Sequence, residues 1–194
     1  MGVVWVCTLR SPARGEVGQA IPSTEKSTMD EIIEILNDAG EVTHIDYRSR
    51  VMNNDFVNFK LVSAFTRDAD GNFIMFRRGY NKSRYGGKFG AIGGCVGVGE
   101  PYQEALFREV QEEIGIDVGM HQWKFLGYTT PGLDNSIGHT AVYEIIIPGI
   151  IVYNPDDFAE MRVVSQQELE RMCQENTEVT HNLPIYMKKF YQNR

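Results

Sequence analysis

Glycine stands at seven positions between residues 86 and 99 (86, 87, 90, 93, 94, 97 and 99), and a helix-compatible stretch follows at once. Glycine at that density marks backbone that bends sharply or passes close to another group. Pro101 stands where the first turn of a helix tolerates it, and Gly115 is a natural left-handed residue past the last turn. The spacing between them predicts a helix over 102–114. Glu109, Glu112 and Glu113 fall at i, i+3 and i+4 on one face of that helix. Leu106, Phe107, Val110 and Ile114 form a separate apolar stripe, and Ala105 leaves room beneath the acidic face.

Three carboxylates within one turn repel one another unless cations neutralise them. Mg²⁺ and Mn²⁺ take oxygen ligands of this kind and bridge to substrate phosphates. Glu100, in the loop ahead of the helix, is within reach of the same site, and Arg108 is placed to orient a carboxylate by a charge-assisted hydrogen bond. A Glu-rich helix alone is more often a solvated acidic face, with Glu104 and Arg108 as an i, i+4 pair. The glycine-rich turn in front of it weighs against that reading.

Composition narrows what such a site serves. The 194 residues fit one domain, with or without an appendage, and 42% apolar content is too high for a disordered chain. The longest apolar runs, 145–147 and 149–153, are far short of a membrane span. A net charge of −7 argues against long nucleic acids and anionic membranes, so a polyanionic substrate needs a local basic cluster or metal ions. Cys7, Cys95 and Cys173 form neither a disulfide framework nor a metal knuckle, and the expected compartment is a reducing cytoplasm. The run 3–9 has no basic region before it, so no secretory signal is expected, and Val6 breaks the myristoylation pattern opened by Gly2.

Residues 11–29 read as a polar linker. The apolar piece before it, 3–9, reads as an edge strand, a dimer contact or a poorly ordered terminus. The turn Asn37-Asp-Ala-Gly40 between β-branched runs favours a hairpin over 31–47, and a second hairpin is expected from 59–66 and 72–78. Strands are predicted over 123–130, 140–147 and 160–164. Ser165-Gln-Gln-Glu168 is a capping box opening a helix to about Gln174, and a last helix is expected over 182–192. The expected organisation is an arm and linker over 1–29, then one domain over 30–194, divided into a hairpin region (30–57) and a core (58–194).

Gly94, Glu100, Arg108, Glu109, Val110, Glu112, Glu113, Gly115 and Ile116 fill every specified position of the pattern G-x5-E-x7-R-E-U-x-E-E-x-G-U, where U is a bulky aliphatic residue. The chain therefore resembles the Nudix (MutT-like) hydrolases, more loosely over about 60–169. That resemblance implies an α/β (α+β) sandwich, a mixed β-sheet between helices with a loop–helix–loop box. It implies Mg²⁺ or Mn²⁺ and attack of water on a diphosphate linked to a moiety X. Carried over by position, Glu109, Glu112 and Glu113 are implied metal ligands and catalytic groups, with Gly94 at the metal and Glu100 and Arg108 in support. The family often uses a further carboxylate as ligand or base, for which Glu144 is the first candidate and Asp134 the second.

Arg77, Arg78, Lys82, Arg84 and Lys88 place five cations just before the box. Arg77, Arg78 and Lys88 are candidates to clamp a diphosphate, Arg78 foremost. Tyr80, Phe89 and Tyr128 are candidates to stack on a base or to pack. Pro131, fifteen residues beyond Ile116, resembles the proline spacing of ADP-ribose pyrophosphatases. The hairpin at 31–47 looks instead like a subgroup related to isopentenyl diphosphate isomerase. That enzyme carries Cys-x-His before the helix, whereas this chain reads Gly93-Gly94-Cys95-Val96, so isomerase activity is not expected. The four histidines show no metal spacing. The resemblance points to a small nucleotide-diphosphate substrate, ADP-ribose or a nucleotide sugar, and a homodimer is compatible with it. The alternatives are a house-cleaning nucleoside triphosphate pyrophosphohydrolase and a non-catalytic nucleotide sensor.

Overall fold

The computed structural model describes residues 30–52 and 58–192, so the arm, the linker and Cys7 lie outside the described residues. The chain opens with β1 (Ile32–Leu36) and β2 (Val42–Tyr47), the expected hairpin, closed by the Gly40 N–H donating to the Asn37 carbonyl at 2.9 Å. A five-residue helix, α1 (Arg48–Met52), follows; it has no counterpart among the sequence expectations. Next come β3 (Asn58–Arg67), β4 (Phe73–Arg78), the two-residue β5 (Phe89–Gly90) and α2 (Tyr102–Ile114). The second half holds β6 (Gln122–Thr129), the short α3 (Pro131–Asp134), β7 (His139–Ile146), β8 (Phe158–Val164), α4 (Gln166–Glu175) and α5 (Asn182–Met187).

The helix with the acidic face has the predicted ends. Pro101 is extended and lies one residue before the first turn, as the helix cap. Gly115 adopts φ 66° and donates its N–H to Gln111 at 3.0 Å. Ser165 caps α4 by accepting the Glu168 N–H at 3.2 Å. The last helix, expected as one piece over 182–192, changes at Lys188 into a wider π-type turn that runs to Gln192.

β3 organises the sheet. It runs parallel to β7 over eight residue pairs, and β6 lies antiparallel on the far side of β7. Along its other edge β3 takes three partners in succession: β1 at Asn58 and Phe59, the glycine-rich segment at Leu61 and Ala64, and β4 at Thr66 and Arg67. The 59–66/72–78 hairpin therefore separates after two residue pairs. β4 turns away to β8, and the glycine-rich segment fills the opening.

The two-residue alternation of the strands divides the core. Val62, Ala64, Ala141 and Ile145 face α2, where Leu106, Val110 and Ile114 are buried, each contributing about 1.5–3 kcal/mol. Phe65, Met75 and Val142 face the other way, under Leu169 of α4 and Leu183 of α5. A third cluster of Ile33, Val51, Phe59 and Cys95 fixes the N-terminal hairpin and α1 against the sheet. The result is a mixed sheet between helices, as expected. Among the described residues no helix is long and apolar enough to cross a membrane.

Candidate active site

The box is assembled by close backbone approach. The glycine-rich segment lies against β3, with the Val62 N–H donating to the Gly94 carbonyl at 3.0 Å. A Cβ at Gly94 would collide with the Glu109 carboxyl group, and one at Gly93 would collide with the Val62 carbonyl. At Gly93, with φ 144° and backbone against it, a side chain has no room, and at Gly94 one would have to displace the Glu109 carboxyl. The two adjacent glycines thus bring the backbone onto the acidic face of the helix.

Arg108 ties the box together. Its Nε and Nη2 each donate to a different oxygen of Glu100 at 2.9 Å, Nη1 donates to Glu109 at 2.8 Å, and Nη2 also reaches the Cys95 carbonyl at 3.0 Å. The hydrogen bonds from Arg108 and from the Gly97 N–H hold the Glu100 carboxyl below the usual range despite partial burial. Glu100 therefore braces Arg108, and Arg108 orients Glu109.

Glu113 has the opposite environment. Burial, aided by the nearby charges of Glu109 and Asp157, pushes its carboxyl up to about 8, although it accepts the Gly93 N–H at 3.2 Å. Burial also raises Glu109, against the pull of Arg108. Both are poised for a positive charge that protein groups do not fully supply. Glu112 is the exposed member, 3.9 Å from Arg108. Among the described residues no three His, Cys, Asp or Glu side chains converge into a ready-made cation cage. The residues nonetheless fit a divalent cation: the donors are carboxylate oxygens, two carboxyls are buried with raised affinity for protons, and the missing side chain of Gly94 leaves the space that Glu109 uses.

Beside the box lies an open cavity of about 170 Å³. Gly93, Gly94 and Cys95 form one wall, and Arg48, Arg78 and Arg84 border it. The Arg78 Nε donates to the Arg84 carbonyl at 3.3 Å, which links the two. Cys95 is a packed thiol, with burial pushing it up to about 12. Arg78 thus borders the cavity beside the box.

Several expected site residues lie elsewhere. Arg77 is turned to the other side of β4, where it donates to Glu160 at 2.7 Å and to the Gly87 carbonyl at 2.7 Å and lies over the Phe89 ring. Lys88 is held by its backbone, its N–H donating to the Tyr85 carbonyl at 3.1 Å, and it does not border the cavity. Pro131 begins α3 and does not border it either. Lys82 pairs with Asp157 at 2.7 Å. Phe89 is a core residue, Tyr80 is exposed, and Tyr128 packs edge-on against Tyr102 and Phe125.

Glu144, the first candidate for a further carboxylate, lies away from the box. It shares the sheet face of Val142, opposite α2, and is enclosed by Lys124 at 2.6 Å, Tyr191 at 2.6 Å and Arg67 at 3.3 Å. Burial alone would raise its carboxyl, but the hydrogen bonds from Lys124 and Tyr191, with the charges of Lys124 and Arg67, hold it below its ordinary range. Asp134 accepts the Thr130 N–H at 2.9 Å and pairs with Lys189 at 2.7 Å, a local brace for α3. Arg48 of α1, which borders the cavity, and its partner Glu31 are not among the residues expected at the site. Residues so far from the box, in a short helix without periodicity, carry no local signal.

A mixed sheet crossed by a glycine-rich strand, with a Glu-lined helix pressed beneath it, defines the class of Nudix proteins. The NUDIX domain family model matches residues 58–183, and the chain belongs to that family. A Nudix hydrolase of Nostoc sp. is 29% identical over 164 residues, covering 84% of this chain and 97% of that protein. The structure of DR0079 from Deinococcus radiodurans has a TM-score of 0.76 at 23% identity, covering 83% of this chain and 99% of that one. The NUDIX domain of Shewanella oneidensis NrtR, complexed with ADP ribose, has a TM-score of 0.54 at 10% identity, covering 75% and 97%. The structural likenesses show the fold, and the family identifies the chain as a hydrolase of pyrophosphate bonds. Nudix hydrolases in general use divalent metals and small nucleotide substrates.

Proposed function

We propose that the chain is a pyrophosphohydrolase dependent on Mg²⁺ or Mn²⁺ that cleaves a nucleoside diphosphate linked to another moiety, with ADP-ribose or a nucleotide sugar as substrate. The observation that carries this reading is the set Glu100–Arg108–Glu109 beside the buried Glu113, next to Gly93, Gly94 and Cys95, which wall a cavity bordered by Arg78 and Arg84.

Glu109, Glu112 and Glu113 would hold the cations, with the second lone pair of the Gly94 carbonyl as a further oxygen. Bound there, divalent ions supply positive charge to the diphosphate oxygens and Lewis acidity toward the attacking water. Arg108 keeps Glu109 in one orientation, and Glu100 keeps Arg108 from swinging out. Arg78 binds the diphosphate. Glu113, with its raised proton affinity, gives up its proton when cations load. The ADP ribose bound by the NrtR domain supports ADP-ribose as the first substrate to try.

The experiment is a panel of ADP-ribose, nucleotide sugars, nucleoside triphosphates, dinucleotides and capped RNA, with Mg²⁺ or Mn²⁺, read as monophosphate release. The expected result is cleavage of ADP-ribose or a nucleotide sugar in preference to triphosphates. Cleavage confined to triphosphates would overturn the substrate assignment. No cleavage anywhere, with thermal stabilisation by a nucleotide, would overturn the enzyme reading in favour of a sensor.

A further inference from the structure

Arg48 lies outside residues 58–183, the span that the family model covers, yet it borders the same cavity as Gly93, Gly94, Arg78 and Arg84. Its backbone is fixed. The Arg48 N–H donates to the Glu31 carbonyl at 2.7 Å, Ser49 donates its N–H to Asp30 at 3.1 Å, and Val51 is buried against the sheet. Among the described residues its guanidinium has one ion-pair partner, with Nη1 donating to the Glu31 carboxylate at 3.0 Å, where both side chains are about half exposed. An exposed pair of this kind is weak, and a guanidinium offers a fork of donors that matches phosphate oxygens.

We propose that Arg48 is a substrate-binding residue that grips the diphosphate from α1, and that Glu31 is the carboxylate it leaves when substrate arrives. A diphosphate carries more charge than Glu31 and presents oxygens to Arg48, Arg78 and Arg84 from within the cavity, so it wins the competition. Glu31 then acts as a competitor: it keeps the guanidinium near the site between turnovers and weakens substrate binding by the strength of the pair. This rests on the pyrophosphohydrolase reading for its substrate, but the binding step is testable apart from turnover.

The test is calorimetric binding of methylenediphosphonate with Mg²⁺ to the full chain, alongside KM and kcat on whichever substrate the panel identifies. Arg48→Ala is expected to weaken binding and raise KM by about tenfold or more, with kcat changed far less, as loss of a charge-assisted contact predicts. Arg48→Lys is expected to recover part of that loss. Glu31→Gln is expected to bind more tightly than the parent, which a merely structural Arg48–Glu31 tie would not produce. Arg50→Ala, on the same helix but paired with Asp46, is the control and is expected to bind normally. Binding by Arg48→Ala within about twofold of the parent, weaker binding by Glu31→Gln, or no binding by the parent chain would overturn the proposal. Absence of hydrolysis across the panel would overturn the enzyme reading instead, and the binding result would still decide the role of Arg48.

Discussion

Arg108 holds both oxygens of Glu100 at 2.9 Å, eight residues back along the chain, and with the same guanidinium fixes Glu109. One side chain thus joins the loop ahead of the helix to the acidic face of the helix itself. A flexible point charge cannot do this, because the two bonds to Glu100 and the one to Glu109 need a planar fork. Arg108→Lys is expected to keep the fold but lower kcat/KM by about tenfold to a hundredfold, the range seen when the support of a metal ligand is lost. Kinetics with cation titration check this: the half-saturating cation concentration should rise.

The proton affinities of Glu113 and Glu109 set a pH dependence. A carboxyl raised to about 8 in the folded chain is ordinary, near 4.3, in the unfolded chain. Its contribution to stability is full below that ordinary value and is lost as pH rises toward about 8. Cations compete with the same protons. Thermal denaturation with and without Mn²⁺ should therefore show a larger cation-induced rise in Tm at about pH 8.5 than at about pH 6. Glu113→Gln should flatten that difference. An equal rise at both pH values would contradict the placement of the cations at Glu113.

Glu144 should matter to folding and not to turnover. Glu144→Gln leaves Lys124, Arg67 and Tyr191 without their carboxylate and is expected to cost about 1–3 kcal/mol at neutral pH. Because this carboxyl is held below its ordinary range, its stabilisation is present above about 4.3 and is lost as pH falls through the lowered value. The Tm difference between parent and variant should shrink below pH ~4, while kcat/KM at neutral pH stays within about twofold.

Gly94 is the narrowest point of the box. Gly94→Ala forces the strand or the Glu109 carboxyl to shift, so activity should fall by more than about tenfold, with a stability loss of about 1–3 kcal/mol. Activity assays and thermal denaturation separate the two effects.

Much of this was legible along the chain because it is local. The acidic helix, its Gly115 terminus, the Asn37–Gly40 turn and the Ser165 cap all rest on neighbours within one or two turns. The box glutamates came with them, since i, i+3 and i+4 spacing fixes a face before any tertiary contact forms. What stayed hidden depends on pairing between distant segments. Arg77 and Arg78 are adjacent in β4, and only the register with β8 decides which one faces the cavity. Glu144 sits in a strand that is apolar on both faces, so alternation cannot say which face is which. Arg48 reaches the site only because β1 pairs with β3 and bridges Gly97.

Glu112 and Glu113 are expected to hold the catalytic cations. The most direct measurement is the turnover of Glu112→Gln and Glu113→Gln on a substrate that the parent chain hydrolyses, under saturating Mg²⁺ or Mn²⁺. Each variant is expected to lose more than about a hundredfold in kcat while remaining folded, as removal of a charged cation ligand predicts. Turnover surviving within about tenfold of the parent would contradict the claim.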